Sequence, residues 1–357
     1  MQALVLYPNA QFKLEEVSEP KIGENPYSPN DTILEIKYCG ICGSDLHYWR
    51  HRDKVEGPKK PSIMGHEISA VVKDVGSNVK DFRPGDRVVG EIVTFFCGKC
   101  VNCKEGRINI CCNIPVKEQR VHYTTGGGFA NYAAWPAYSL HKLPDNIGDK
   151  EAVLVETTAG CVHSLIERAN LKAGESVLIL GSGARGLILL QVAKAVGAWP
   201  IIVAGTDFDA ERRLPLAKEL GADVIVNVNR EDLVKVVREY TRGWGADVVM
   251  EAAGTAEAIL LGYKSARPGG RMVVSGGGIV GGINVSLDTY DLITKELTIL
   301  GEISHVWYSW ETAIKLVSTG KVNLKPLVSH VFPLAEWEKA FDTAINCKEA
   351  LRVALKP

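Results

Sequence analysis

The sequence predicts an α/β protein of two domains, a β-rich domain and a doubly wound parallel sheet. Three observations predict it. The chain has 357 residues, and a single core stops growing near ~250–300 residues. In the first part of the chain, short strand-like runs are separated by Gly, Pro and Asn clusters. From about residue 176, apolar runs alternate with helical patterns, which is the rhythm of a parallel sheet.

Early in the chain, Thr32–Tyr38, Ile68–Val75 and Arg87–Glu91 read as strands, with Pro84-Gly85-Asp86 as a turn between two of them. Thr157–Ala169 reads as a helix. Ser176–Leu180 is a buried strand, followed by glycines and the helical pattern Leu187–Val196. Pro200–Thr206 is a second strand, and Ala210–Leu220 a helix ended by Gly221. Pro215 conflicts with that helix, since an interior proline costs ~3 kcal/mol. Either the helix starts later, with Pro215 in its first turn, or it kinks there. Asp223–Val228, Ala246–Glu251, Arg271–Ser275 and Glu296–Leu300 are further strands. The tail from about His305 carries helical pieces and ends in Leu351–Leu355, a strand able to rejoin the first domain.

Composition removes several functions. Lys plus Arg number 41 against 42 Asp plus Glu, so a nucleic-acid partner bound through phosphates is not expected. Hydrophobic residues at 46% and charged residues at 23% exclude a disordered chain. The longest apolar stretch, Ser176 to Val196, is broken by Arg185, Gln191 and Lys194, so no membrane span is expected. The start MQALVLYPNA lacks a basic region, and a cytoplasmic location is the expectation. Nine cysteines, an odd number, favour metal ligation over disulfides.

Three groups of residues carry chemistry. In Gly181-Ser-Gly183-Ala-Arg-Gly186, Gly181 allows a tight turn, Gly183 lets the backbone approach a pyrophosphate, and Gly186 lets helix and strand pack. The helix dipole then faces the phosphates. Asp207 ends the next strand, 26 residues after Gly181. A carboxylate there accepts the ribose hydroxyls and repels a 2′-phosphate, which favours NAD. Arg212 is the counter-argument, because a nearby arginine can hold that phosphate. Cys97, Cys100, Cys103 and Cys111 have the spacing C-x2-C-x2-C-x7-C. Four thiolates leave no open position, so a zinc there is structural. An iron–sulfur cluster and a set of buried free thiols are the alternatives. Cys42, in Gly40-Ile-Cys-Gly-Ser-Asp-Leu-His47, and His66, in Gly65-His-Glu67, make a candidate mixed-ligand site of the kind that keeps one position open.

The motifs CGICGSDLHYW, GHE, FRPGDRV, the cysteine lobe and SVLILGSGARG occur in one order over nearly the whole chain. Together they resemble the zinc-dependent medium-chain dehydrogenase/reductase family. HYW after CGSDL, and KKP before GHE, look most like its sorbitol (polyol) dehydrogenase branch, with threonine dehydrogenases as near relatives. The resemblance implies a GroES-like β-rich catalytic domain over 1–157, completed by 305–357, and a dinucleotide-binding Rossmann domain over 158–304. It implies two zinc ions per chain, one catalytic and one structural, NAD, a small-molecule substrate, and a homotetramer or else a dimer.

Position by position, Cys42 and His66 match the family's catalytic zinc ligands, and Glu67 an acid that ligates or stands just outside. Glu156 matches the third ligand, which is Glu in the polyol branch; its alternative role is to cap its own helix, leaving Glu67 as the ligand. Ser44 matches the hydroxyl that takes the substrate's proton, His47 the group that passes it to solvent, and Asp45 a carboxylate that orients the zinc-bound histidine. Tyr48, Trp49, Phe129 and Lys295-Glu296 are candidate walls of a substrate pocket near the carboxyl ends of the strands, with ordinary packing as the alternative for the aromatics. Three positions depart from the pattern: Thr157 replaces the usual Pro, Ala184-Arg185 puts a cation near the pyrophosphate, and Asn131 stands where Glu is common. The implied activity is zinc-assisted hydride transfer between a secondary alcohol of a polyol, cyclitol or sugar-derived substrate and NAD. A dehydrogenase of an amino alcohol such as threonine, or of a simple alcohol, is the first alternative. A non-catalytic regulatory protein that keeps zinc and cofactor is the second.

Overall fold

The computed structural model describes residues 1–24, 28–121, 126–276 and 282–357. The chain divides into two units. One comprises Met1–Thr157, Ser304–Ser318 and Leu324–Pro357, the other Thr158–Ile303 and Thr319–Asn323.

The first unit is built on a mixed sheet. Val328–Pro333, Arg352–Lys356, Asp31–Gly40, Glu67–Val75, Arg87–Gly90 and Leu140–Lys142 lie side by side, and Tyr132–Pro136 also pairs with Asp31–Gly40. Only the pairing of Val328–Pro333 with Arg352–Lys356 is parallel. Apolar side chains such as Leu34, Ile36, Ile68, Val72, Val88 and Trp135 form its core with Phe341 of the helix Trp337–Asn346. Each such side chain contributes roughly 1.5–3 kcal/mol by leaving water. The C-terminal strand rejoins this sheet in a register that opposes Gly40 to Ala354, while Gly40 also opposes Glu67 on the other side. Residues from the start and the end of the sequence thereby meet around one backbone carbon.

The second unit holds six parallel strands in the order Val224–Asn227, Ile201–Gly205, Val177–Leu180, Ala246–Glu251, Ala266–Val274, Thr298–Gly301. In chain order this is 3-2-1-4-5-6, the doubly wound dinucleotide-binding arrangement. The helix expected from Ala210 runs from Arg213 to Leu220. Pro215 is therefore its third residue, where a missing amide hydrogen sacrifices no intrahelical bond. The helix expected over Thr157–Ala169 is Val155–Val162, continued by a π-helical segment His163–Arg168.

Candidate active site and metal centres

The four cysteines of the lobe come together. The donor sulfurs of Cys97, Cys100, Cys103 and Cys111 lie within 4.8 Å of one another. Cys97–Cys103 and Cys100–Cys111 are each 3.9 Å apart, close to the ~3.8 Å edge of a tetrahedron with Zn–S bonds near ~2.3 Å. Gly98 and Gly106 make the sharp turns with φ of +68° and +78°. Cys100 N and Asn113 Nδ2 donate to Cys97 Sγ, and Cys112 N donates to Cys100 Sγ, each at 3.4 Å. Backbone amides of Cys103 and Cys112 lower the Cys100 thiol's pKa to about 6. Cys112 itself is exposed and outside the foursome.

The second cluster is Cys42, His66 and Glu67, whose donors also lie within 4.8 Å of one another. Cys42 precedes the helix Gly43–Arg50, where its amide donates to Asp45 Oδ2 at 2.9 Å. Gly65, with φ +91°, turns the chain just before the strand Glu67–Val75, leaving His66 and Glu67 buried. Arg352, from the C-terminal strand, pairs with Glu67 Oε1 at 3.1 Å and donates to Thr157 Oγ1 at 3.2 Å. Thr157 Oγ1 in turn lies 3.2 Å from Glu67 Oε1. Glu67 Oε2 is buried with no hydrogen-bond partner among the described residues. A Cβ on Gly40 would stand 2.3 Å from it, so only glycine leaves the carboxylate room.

The charges of this cluster suit a cation. Burial works against a charged His66, but the Cys42 thiolate, its hydrogen bond, and the Asp45 and Glu156 carboxylates raise its pKa to about 10. Burial raises that of Glu67, opposed by Arg352 and aided by Glu156. A thiolate, an imidazole and an unpartnered carboxylate oxygen are the donor types of a three-ligand zinc site.

Glu156 is not in this trio. It lies in the first turn of Val155–Val162, and its Oε1 sits 3.0 Å from His305 Nε2. Burial would raise its pKa, yet His305, His66 and Arg352 bring it down to about 2. The resemblance implies Glu156 as the third ligand; the structure groups Glu67 with Cys42 and His66, and sets Glu156 against His305. Cys161 is buried against the Arg185 carbonyl, 3.6 Å away.

Ser44 and His47 are one turn apart on the helix Gly43–Arg50. His47 Nε2 is buried without a hydrogen-bond partner among the described residues. Burial and the charges of His51, Arg50 and Lys117 lower its pKa from 6.5, which favours the neutral ring.

In the second unit the glycine loop joins Val177–Leu180 to the helix Ala184–Val196. Gly181 has φ +107°, the space above Gly183 is open, and a Cβ on Gly186 would fall 1.8 Å from the Gly181 carbonyl oxygen. Arg185 does not place its charge at the loop's opening. Its guanidinium donates to Glu302 Oε2 at 2.8 Å and Ser164 Oγ at 2.9 Å. Asp207 Oδ1 accepts from Arg230 Nε at 2.7 Å and Asn227 Nδ2 at 2.8 Å. Arg212 occupies the residue before the helix Arg213–Leu220.

The expected substrate walls are placed differently. Tyr48 and Phe129 are core residues of the first unit, and Trp49 packs edge-on against Trp337 and Phe341, with ring centroids 5.1 and 6.0 Å away. Tyr48 and Phe129 are buried there, and Trp49 is partly buried. Lys295 and Glu296 precede the strand Thr298–Gly301, at the amino end of the parallel sheet, whereas the glycine loop is at the carboxyl end. Lys295 pairs with Asp291 at 2.9 Å and Glu296 is exposed. Sequence reasoning missed Arg352, His305, Trp310 and Arg230. A charged residue inside the apolar run LRVALK was the one available signal, for Arg352.

Residues 28–145 match the alcohol dehydrogenase GroES-like domain and residues 185–319 the zinc-binding dehydrogenase family. The chain is 37% identical over 325 residues to D-arabitol-phosphate dehydrogenase of Enterococcus avium, covering 91% of this chain and 90% of that one. The chain belongs to the zinc-dependent medium-chain dehydrogenases. The dehydrogenase is also 37% identical to L-threonine 3-dehydrogenase of Pyrococcus furiosus, over 94% of this chain and 92% of that one. It matches a solved zinc-binding dehydrogenase from Sinorhizobium meliloti 1021, bound to NADP, with a TM-score of 0.87 and 29% identity over 100% of this chain and 99% of that one. The dehydrogenase is thus an oxidoreductase that works with zinc and a nicotinamide dinucleotide. Among the described residues, no helix is long and apolar enough to cross a membrane.

Proposed function

We propose that this dehydrogenase interconverts a secondary alcohol of a polyol, cyclitol or sugar-derived substrate and its ketone, with NAD as electron carrier. The observation that carries the reading is the Cys42–His66–Glu67 trio, with its unpartnered carboxylate oxygen, in a chain that also carries a dinucleotide loop. Similarity to D-arabitol-phosphate dehydrogenase supports the substrate class.

Cys42, His66 and Glu67 would hold a catalytic zinc, with one position left for the substrate hydroxyl. The cysteine lobe would hold a second, structural zinc. The catalytic metal supplies a Lewis acid that eases ionisation of the alcohol. Ser44 accepts the hydroxyl proton, and neutral His47 passes it to solvent. Residues 1–157 and 305–357 form the catalytic domain, and 158–304 orient the nicotinamide, which takes the electrons. Asp207 would receive the ribose hydroxyls once Arg230 lets it go, and this favours NAD over NADP. A homo-oligomer fits the open edge strand Thr298–Gly301, near which Tyr290 and Ile293 are exposed.

A second reading, a dehydrogenase of an amino alcohol, draws on the equal identity to L-threonine 3-dehydrogenase. A panel of polyols, polyol phosphates, inositols, sugar acids and threonine, assayed with NAD and NADP by absorbance of the reduced cofactor, separates the two. Turnover of a polyol class with NAD is expected. Turnover of threonine alone selects the second reading, and NADP preference overturns the Asp207 assignment.

A further inference from the structure

We propose that His305, held by Trp310, is a positioning residue that keeps the Glu156 carboxylate off the catalytic metal, so that Glu67 ligates in its place. The proposal rests on the ligand set given under Proposed function. His305 is 1% exposed and Trp310 fully buried. Trp310 Nε1 donates to His305 Nδ1 at 2.7 Å. An indole N–H can only donate, so Nδ1 is the acceptor nitrogen and the ring's proton sits on Nε2. Nε2 lies 3.0 Å from Glu156 Oε1 and donates to it. The ring's Nε2–H therefore has one target, the Glu156 carboxylate.

Trp310 is itself immobilised. It stacks on His141 at 5.0 Å and 7°, and His141 Nε2 meets Glu91 Oε1 at 2.9 Å. Glu156 stands outside the Cys42–His66–Glu67 set, and swinging its carboxylate toward that set would draw Oε1 away from the buried His305 N–H, a donor that is costly to leave unmet. Glu67 faces the opposite situation: Arg352 and Thr157 hold one of its oxygens and the other has no partner. Two carboxylates beside one metal are thereby assigned different places by their neighbours. With both bound, the position needed by a substrate hydroxyl would be filled.

The test uses the full-length zinc enzyme and its cobalt(II)-substituted form. In His305→Ala, Glu156 is released to the metal. Zinc affinity in a chelator competition should rise about tenfold or more, the cobalt absorption spectrum should shift, and kcat should fall roughly 10–100-fold. His305→Gln, whose amide can accept from Trp310 and donate to Glu156, should keep the wild-type spectrum. Adding Glu156→Gln to His305→Ala should restore the spectrum and part of kcat. An unchanged cobalt spectrum and zinc affinity in a folded His305→Ala overturns the proposal. Loss of zinc in Glu156→Gln alone would instead overturn the ligand set itself, by making Glu156 a ligand of the unmodified site.

Discussion

The two candidate metal clusters differ in where their residues come from. The four-sulfur lobe draws every donor from Cys97 to Cys111, and its short helix Val101–Lys104 and its amide-to-sulfur bonds are local too. The Cys42–His66–Glu67 cluster draws on a helix start and a strand start, and is locked by Arg352 from the end of the chain. A local site can be read from spacing, and its loss costs order. A distributed site depends on the whole fold, and its loss costs chemistry.

The largest effects should separate the two. Cys42→Ser should reduce turnover by more than about a thousandfold, as loss of a direct ligand exceeds the 10–100-fold typical of supporting residues, while thermal stability is retained. Cys100→Ser should do the reverse. It should remove roughly 3 kcal/mol, a fall of about 6–12 °C in Tm, and leave kcat within a few fold in protein that remains folded. Equal loss of stability in both variants would break the comparison.

Arg352→Leu should be the most destabilising change outside the ligands. It leaves Glu67 buried beside no fixed cation, at a cost of about 3–5 kcal/mol, and bound zinc should recover part of it. A denaturant titration with and without chelator reads both. An Arg352→Leu protein as stable as the wild type would sink the idea that the C-terminal strand locks the site.

Much of the fold was legible because its signals are local. Gly181, Gly183 and Gly186 sit where a turn, an approach and a packing contact each forbid or do not need a side chain. Pro215 announced its own conflict, and the helix begins late enough to absorb it. The candidate site was less legible. No spacing rule links Glu67 to Arg352, or Glu156 to His305, because those pairs arise from strand register and tertiary packing. For Tyr48 and Phe129 the sequence leaves wall and packing open, because no sequence signal separates the two, and both lie in the core of the first unit.

Smaller effects sharpen the proton route and the cofactor choice. His47 has a pKa held below 6.5 by burial and nearby cations, so its neutral form prevails as pH rises through that point. The acid limb of kcat/KM should lie below pH 6.5 and should flatten in His47→Asn. A wild-type limb above pH 7 would contradict the relay. Asp207→Ala should weaken the preference for NAD over NADP by about tenfold, since a ribose acceptor and a source of repulsion leave together. Arg230→Ala, by freeing Asp207, should tighten NAD binding by a few fold, and an unchanged dissociation constant would show that this ion pair does not compete with the cofactor.

Zinc content per chain, measured by elemental analysis on folded wild type and Cys42→Ser, tests the division of roles most directly. The account predicts two zinc ions in the wild type, and one in a Cys42→Ser protein that keeps its Tm and loses turnover. One metal ion in the wild type, iron in the lobe, or a Cys42→Ser protein that retains both zinc ions would contradict it.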